Sequence, residues 1–303
     1  MIFHNFQELL IHVKNRSNQP RIAVACAEDL HTLEAIFKAQ EESIASPILI
    51  GNKEKIQYIA HTLNRHISDD SIYHETDPGI AAQKAVALIR SGEADILMKG
   101  YLETSIFLKA VVNKEFGLGK NRIMSHFSAF EVPNYHKLII PVDGGMVTYP
   151  TLEQKKAIIE NTVSALHTMG YECPKVGVLA CVEKINPKMP ETIDGQILKQ
   201  MNLRGEIRGC IVEGPISYDC AVSPEIAALK GFNSPCAGDC DVLIAPNIHA
   251  GNIMGKILSV TCGAKMAGFV VGASCPIVMT SRASSAEEKY LSIILGSAAT
   301  RIR

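Results

Sequence analysis

The sequence predicts an α/β protein with mostly parallel sheets covered by helices. Three observations predict it. Short continuous apolar runs such as 21–26 (RIAVAC), 95–98 (DILM) and 241–246 (DVLIAP) recur along the chain, and a strand apolar on both sides is buried on both faces. Helix-length stretches with apolar residues at three- and four-residue spacing lie between them. Several runs end in polar or glycine-rich turns, the kind of junction that leads from a strand into a crossover.

In chain order, the strand at 21–26 is followed by a helix over 29–40, and PILI at 47–50 ends at Gly51. A helix over 79–91 places Ile80, Ala81, Val86, Ala87 and Ile89 on its apolar positions, and the strand at 95–98 stops at Lys99-Gly100. A helix over 105–113 and a loop over 114–121 lead to strands at 122–130 and 137–142, the second ending at Asp143-Gly144-Gly145. Thr151 with Gln154 three residues on forms a capping box, which opens a helix over 151–169. The alternation then resumes, with a strand at 175–181, a helix at 191–201, and a strand at 209–212 ending at Glu213-Gly214-Pro215. A helix at 223–230, a strand at 241–246, a helix at 252–260, strands at 269–271 and 276–279 and a closing helix at 286–296 complete the chain.

A chain of 303 residues suffices for two domains of ordinary size or one large one. Its hydrophobic fraction of 47% and charged fraction of 20% are those of a globular protein. Thirty Lys and Arg against 31 Asp and Glu leave a formal charge of −1, which supplies no field to attract nucleic acid or an anionic membrane. A small-molecule partner is therefore expected. The amino terminus mixes polar residues into its apolar spacing, unlike a signal peptide, and no run approaches the roughly 18 apolar residues of a membrane span. Nine scattered cysteines without a CxxC pair suit reduced thiols in a cytoplasm. Cys236 and Cys240 come nearest to a metal pair, but the further ligands zinc needs are absent, so no metal is expected.

The carboxyl ends of parallel strands are where this architecture binds ligands. Five turns qualify: Lys99-Gly100, 143–145, 213–215, 247–252 and Ser281-Arg282. In NIHAGNIMGK (247–256), Gly251 either admits a ligand to the backbone or relieves a tight turn, Asn252 either binds or caps the helix, and Lys256, one turn into that helix, can reach an anion. His249 reads as an exposed loop histidine. Lys99 either binds a phosphate or is solvated. Ser281-Arg282 leads from a strand into the start of a helix, an anion-binding arrangement, yet Ser285 with Glu288 is also a capping box. Ser125, His126 and Asp143 do not form a triad, because adjacent residues on a strand point to opposite faces.

Taken together, the blocks LMKG with ETSIFLKAVVNKE, Ser125-His126, VEKINPKMPET, GCIVEGPISYD, AGDCDVLIAPNIHAGN and CPIVMTSR resemble the phosphate acetyl- and butyryltransferase family, more closely the butyryl type. The resemblance implies an isocitrate/isopropylmalate dehydrogenase-like architecture with the active site in an interdomain cleft. It divides the chain into 1–130 plus 272–303, and 131–271. The implied reaction converts acyl-CoA and phosphate reversibly into acyl phosphate and free CoA. Coenzyme A is then substrate and product, no other cofactor is required, and the protein is a homo-oligomer.

By the same resemblance Arg282 binds phosphate, Ser281 donates toward the reacting carbonyl, and Glu288 stands where acetyl-type members carry an aspartate thought to be the thiol base. Ser125, Asn252 and Lys256 fall in blocks that line the cleft, together with Lys99-Gly100 and Gly251. The chain departs from the butyryl pattern at Ser284, at Gly255 and at Gly144 or Cys220, which leaves the acyl preference open between acetyl and butyryl and admits a non-catalytic relative. A β-decarboxylating dehydrogenase would need an aspartate cluster for a divalent metal and an arginine-rich substrate loop, and the sequence shows neither.

Overall fold

The computed structural model describes residues 1–68, 71–119, 123–281 and 283–301. Helix α1 (Phe6–Lys14) turns Phe6, Leu9 and Val13 inward. Strand β1 (Arg21–Ala25) leads into α2 (Leu30–Glu41), where the Asp29 carboxylate accepts the Thr32 backbone N–H at 2.9 Å. That bond satisfies one of the N–H groups a helix start leaves open. Next come β2 (Ser46–Gly51), α3 (Lys53–Thr62) and β3 (Ile72–His74). The sequence reading has no element between 51 and 79, because α3 buries only Ile56 and Ala60 and β3 only Ile72. Helix α4 (Pro78–Arg90) starts at an Asp77 cap with proline in the first turn, β4 (Ile96–Lys99) follows, and α5 (Thr104–Val111) completes this stretch.

After β5 (Ser125–Glu131) and β6 (Ile140–Val142), the expected capping box opens α6 (Leu152–Thr168), with both the Thr151 and Gln154 bonds made. Strand β7 (Lys175–Leu179), α7 (Pro190–Leu203), β8 (Ile211–Ile216), α8 (Tyr218–Val222), α9 (Pro224–Leu229) and β9 (Val242–Ile244) follow. Helix α10 (Ile248–Lys256) runs into a π-helical turn, Ile257–Thr261. Strands β10 (Lys265–Val271) and β11 (Ile277–Val278) precede α11 (Ala286–Ala298).

Two sequence expectations change. Glu213-Gly214-Pro215 lies inside β8 rather than at its end. Glu213 pairs in register with Gly177, and its buried carboxylate is taken by Lys199 Nζ at 2.6 Å and Ser234 Oγ at 2.7 Å. Helix α10 starts four residues earlier than expected because Asn247, not Asn252, is its cap, accepting the Ala250 N–H at 3.1 Å. Asn252 is therefore internal to the helix, and Lys256 stands at its end.

The chain groups into two compact units, one of Met1–Phe6 with Ile123–Met266 and one of Gln7–Arg122 with Ala267–Arg303. Within the latter the strand order is β3-β2-β1-β4-β11-β10, parallel except for β10 against β11. The order reverses between β1 and β4, the kind of switch point beside which α/β sheets bind ligands. Helix α11 is buried nearly all round, and the Arg16 guanidinium donates to the carbonyls of Ser297 and Ala298, each at 2.7 Å, placing a cation at the helix carboxyl end.

The other unit holds an all-parallel sheet ordered β6-β9-β7-β8. Lys137, only 2% exposed, lies 2.8 Å from Asp239 and 2.7 Å from Asp241, and Lys175 and His136 share Asp239. Burial opposes the charged form of Asp239, but hydrogen bonds from Lys137, Lys175 and His136 more than reverse this and hold its carboxyl well below the usual range.

Candidate active site

In the unit containing β6, the strand delivers Asp143 into a turn that this residue itself builds. Its Oδ1 accepts the backbone N–H groups of Gly145 at 2.7 Å and Met146 at 3.0 Å, and its Oδ2 accepts that of Val147 at 3.0 Å. The turn packs backbone to backbone against the first turns of α10. A Cβ on Gly144 would lie 2.9 Å from the carbonyl carbon of Gly251, and one on Gly251 would lie 2.6 Å from the Asp143 carbonyl oxygen. Asn252 Nδ2 donates to the Gly144 carbonyl oxygen at 3.1 Å. Gly251 thus serves close approach of two backbones, and Asn252 ties the turn to the helix.

On its other side the turn meets β5. A Cβ on Gly145 would lie 3.3 Å from Cβ and Cγ of His126, so the imidazole rests directly on the backbone there. Ser125 and His126 point to opposite faces, as adjacent strand residues must. Ser125 is fully buried, and its hydroxyl has no hydrogen-bond partner among the described residues. His126 is half-buried, and desolvation lowers its pKa below the ordinary imidazole value while Asp143 opposes the shift. His249, expected in a loop, lies in α10 and is exposed, with Nε2 3.1 Å from the Tyr149 hydroxyl. Lys256 is exposed.

An apolar cavity of about 730 Å³ opens beside α10, walled by Met189, Tyr218, Ala250, Met254, Ile257 and Leu258. At its rim Ser217 bonds the carboxylates of Glu183 and Asp219, and Lys230 Nζ lies 3.0 Å from the first and 2.9 Å from the second. Hydrogen bonds from Ser217 and Lys230 bring the Asp219 carboxyl down to about 2. Glu183, Asp219 and Cys220 offer metal-ligand atoms within 4.8 Å of one another, but the Lys230 ammonium already supplies that corner with a cation.

At Gly255, one of the departures from the butyryl pattern, a Cβ would lie 3.4 Å from Cζ of Phe130.

In the unit containing β1 and β4, Gly100 brings the β4 turn against the chain after β1, since a Cβ there would lie 2.1 Å from the Cys26 carbonyl oxygen. Lys99 is 2% exposed and donates to the Leu102 carbonyl at 3.0 Å, so its ammonium is neither solvated nor displayed to solvent. After β11, Ser281 is exposed and its Oγ accepts the Ala283 N–H at 3.3 Å. Arg282 lies outside the described residues. Ser285 caps α11 through the Glu288 N–H at 3.2 Å, but the Glu288 carboxylate accepts from Ser284 Oγ at 2.6 Å instead of closing the box. Lys289 is buried, 3.3 Å from Thr280 Oγ1 and 3.9 Å from Asp29, and burial lowers its pKa.

The structure therefore gathers Gly251, Asn252, Asp143 and His126 around one turn, and Thr280, Ser281, Ser284, Glu288 and Lys289 around the start of α11. Sequence reasoning missed His126 and Lys289 as site candidates. The available signals were alternation on β5, which turns His126 away from buried Ser125, and a lysine within an otherwise apolar helix.

Residues 76–297 match the family described as phosphate acetyl/butaryl transferase. The chain is 42% identical over 291 residues to the phosphate butyryltransferase of Clostridium acetobutylicum, covering 96% of each. It is 41% identical over 290 residues to the phosphate acetyltransferase of Thermotoga maritima, covering 96% of this chain and 98% of that one. Among solved structures, a branched-chain phosphotransacylase from Enterococcus faecalis V583 superposes with a TM-score of 0.81 at 29% identity, covering 93% of this chain and 99% of that one. With a match over most of its length and relatives above 40% identity along nearly all of it, this chain belongs to the phosphate acetyl/butaryl transferase family.

Proposed function

We propose that the protein is a phosphate acyltransferase that interconverts short-chain acyl-CoA and phosphate with acyl phosphate and free CoA, favouring butyryl and branched acyl groups. The observation that carries this is the 42% identity to a phosphate butyryltransferase over 96% of both chains. Likeness to a branched-chain phosphotransacylase supports the acyl preference. Acetyl transfer is the second reading, favoured by the 41% identity to a phosphate acetyltransferase.

In the acyl-phosphate-forming direction a phosphate oxygen attacks the thioester carbon, the C–S bond breaks and the thiolate leaves. In reverse, the CoA thiol must lose its proton before it attacks. Arg282 binds phosphate through its planar fork, Ser281 donates to the reacting carbonyl, and Glu288 exchanges the thiol proton. Lys99, Gly100, Ser125, Gly251, Asn252 and Lys256 form the substrate-binding set, in which exposed Asn252 and Lys256 touch substrate and buried Lys99, Gly100, Ser125 and Gly251 act through the backbone they position. For Lys99 this role runs through the turn it ties together, since its ammonium is committed to Leu102.

Coenzyme A enters only as substrate and product, with no further cofactor. We read the protein as cytoplasmic on the strength of its nine free cysteines. Among the described residues no helix is long and apolar enough to cross a membrane. Exposed Ile253, Ile257 and Val260 on and after α10 support a homo-oligomer.

The test is release of free thiol from acetyl-, propionyl-, butyryl- or isobutyryl-CoA in the presence and absence of phosphate. Phosphate-dependent release, fastest with a three- to five-carbon acyl group, is expected. No release from any of the four sinks the enzyme reading, and fastest release from acetyl-CoA replaces it with the acetyl reading.

A further inference from the structure

Two consecutive residues of α11 hold the connection that enters it from β11. The Glu288 carboxylate accepts from Ser284 Oγ at 2.6 Å, and Lys289 Nζ donates to Thr280 Oγ1 at 3.3 Å. Between those anchors the Ser281 carbonyl accepts the Ser284 N–H at 3.1 Å, and the Ser281 hydroxyl accepts the Ala283 N–H at 3.3 Å. Exposed Ser281 thus stands on a connection gripped beside it at Thr280 and again at Ser284. Every group in this arrangement belongs to the unit that contains β1 and β11.

Stability does not explain the lysine. Lys289 is 2% exposed, and its ion-pair partner, Asp29 Oδ2, stands 3.9 Å away and already accepts the Thr32 N–H at 2.9 Å and hydroxyl at 2.6 Å. Lys137, equally buried in the other unit, has carboxylate oxygens at 2.8 and 2.7 Å. Lys289 is also the fourth residue of α11, near the end of the helix dipole that opposes a cation. A buried charge with so little compensation costs stability, and an apolar side chain of similar length would not.

We propose that Lys289 is a positioning residue for acyl transfer: its ammonium fixes the Thr280 side chain and so holds Ser281 where it donates to the reacting carbonyl. This rests on the role given to Ser281 above. An ammonium only donates, so the Thr280 hydroxyl must accept from it. That contact restrains the side chain and anchors the backbone from which Ser281 follows. Lys289 acts through Thr280 and does not itself touch the substrate.

The experiment measures kcat in the thiol-release assay, with melting curves, for wild type, Lys289→Met, Thr280→Val, Thr280→Ser and the double variant of Lys289→Met with Thr280→Val. Methionine keeps the buried stem without the charge, and valine keeps the shape of threonine without its oxygen. Because a misplacement of about 1 Å can cost 10²-fold in rate, Lys289→Met and Thr280→Val should each lower kcat by about 10- to 100-fold. Both break one contact, so the double variant should fall no more than about twofold below the slower single variant. Thr280→Ser, which keeps the acceptor, should recover most of the loss seen with valine. Lys289→Met should melt at or above wild type.

Wild-type kcat in folded Lys289→Met overturns the proposal, as do losses that multiply in the double variant and equal kcat in the serine and valine variants. A lysine serving stability alone gives a lower melting temperature with an unchanged rate per folded molecule, and that result overturns it too. If Lys289→Met does not fold, the two Thr280 variants decide: a loss with valine alone supports the proposal, and equal rates overturn it. A wild type inactive on every acyl-CoA defeats the acyl-transfer reading and this inference together. An active wild type with an indifferent Lys289 defeats this inference alone.

Discussion

Gly144 and Gly251 meet with no room for a side chain on either: a Cβ on Gly144 would sit 2.9 Å from the carbonyl carbon of Gly251. Backbone cannot move aside as a flexible side chain can, so Gly251→Ala should cost about 1–3 kcal/mol through overpacking. The melting temperature should drop by roughly 2–10 °C. Gly255→Ala is the control, because its Cβ would make only a tight contact with the end of the Phe130 ring. A gain of up to about 1 kcal/mol in helix propensity offsets that contact. Equal melting of the two variants would show that the 144–251 contact does not constrain α10.

Arg282→Ala should lower phosphate-dependent thiol release by about 10²–10³-fold or more, and Arg282→Lys should recover little of it, since an ammonium cannot form the two-pronged contact of a guanidinium. Steady-state rates at varied phosphate measure this. Full activity in the lysine variant would reduce Arg282 to a point charge.

Glu288→Gln should slow CoA acylation from acyl phosphate by about 10²-fold or more, the range of general-base assistance. Ser285 still caps α11 in this variant, because it bonds the backbone N–H of residue 288. Stability is therefore expected to hold, and a melting loss with unaltered rate would make Glu288 a helix residue only.

The depressed Asp239 carboxyl links stability to pH. Its native pKa lies below the unfolded value, so its contribution is complete above about pH 4 and drains away as the pH falls further. The melting temperature of wild type should decline over that range, whereas Asp239→Asn should start lower and decline less. Lys137→Ala, which strands Asp239 and Asp241 beside each other without their buried cation, should cost about 3–5 kcal/mol. Urea titrations at pH 7 test it, and a cost under about 1 kcal/mol would assign charge balance to Lys175 and His136.

Much of the fold was legible because apolar periodicity and capping residues are local. The Thr151–Gln154 box and the RIAVAC, DILM and DVLIAP strands stand where the sequence put them. Helix α3 and β3 were not legible, since each buries too few residues to leave a pattern. Glu213 was misplaced because a charged residue reads as a strand end, and only the fold shows that Lys199 and Ser234 come to meet it. At 247–256 a strand-to-helix junction was legible, but its cap is Asn247 and Asn252 lies inside the helix. The contact of His126 with Gly145 was not legible, because it joins β5 to a turn beyond the next strand.

Strand β11, two residues long, lies between β4 and β10 and pairs with both. During translation β4 leaves the ribosome early and must wait, with one hydrogen-bonding edge bare, until residues 277 and 278 have been made. Nascent chains halted before that point should attract holdase chaperones, while chains released after it should bury the edge at once.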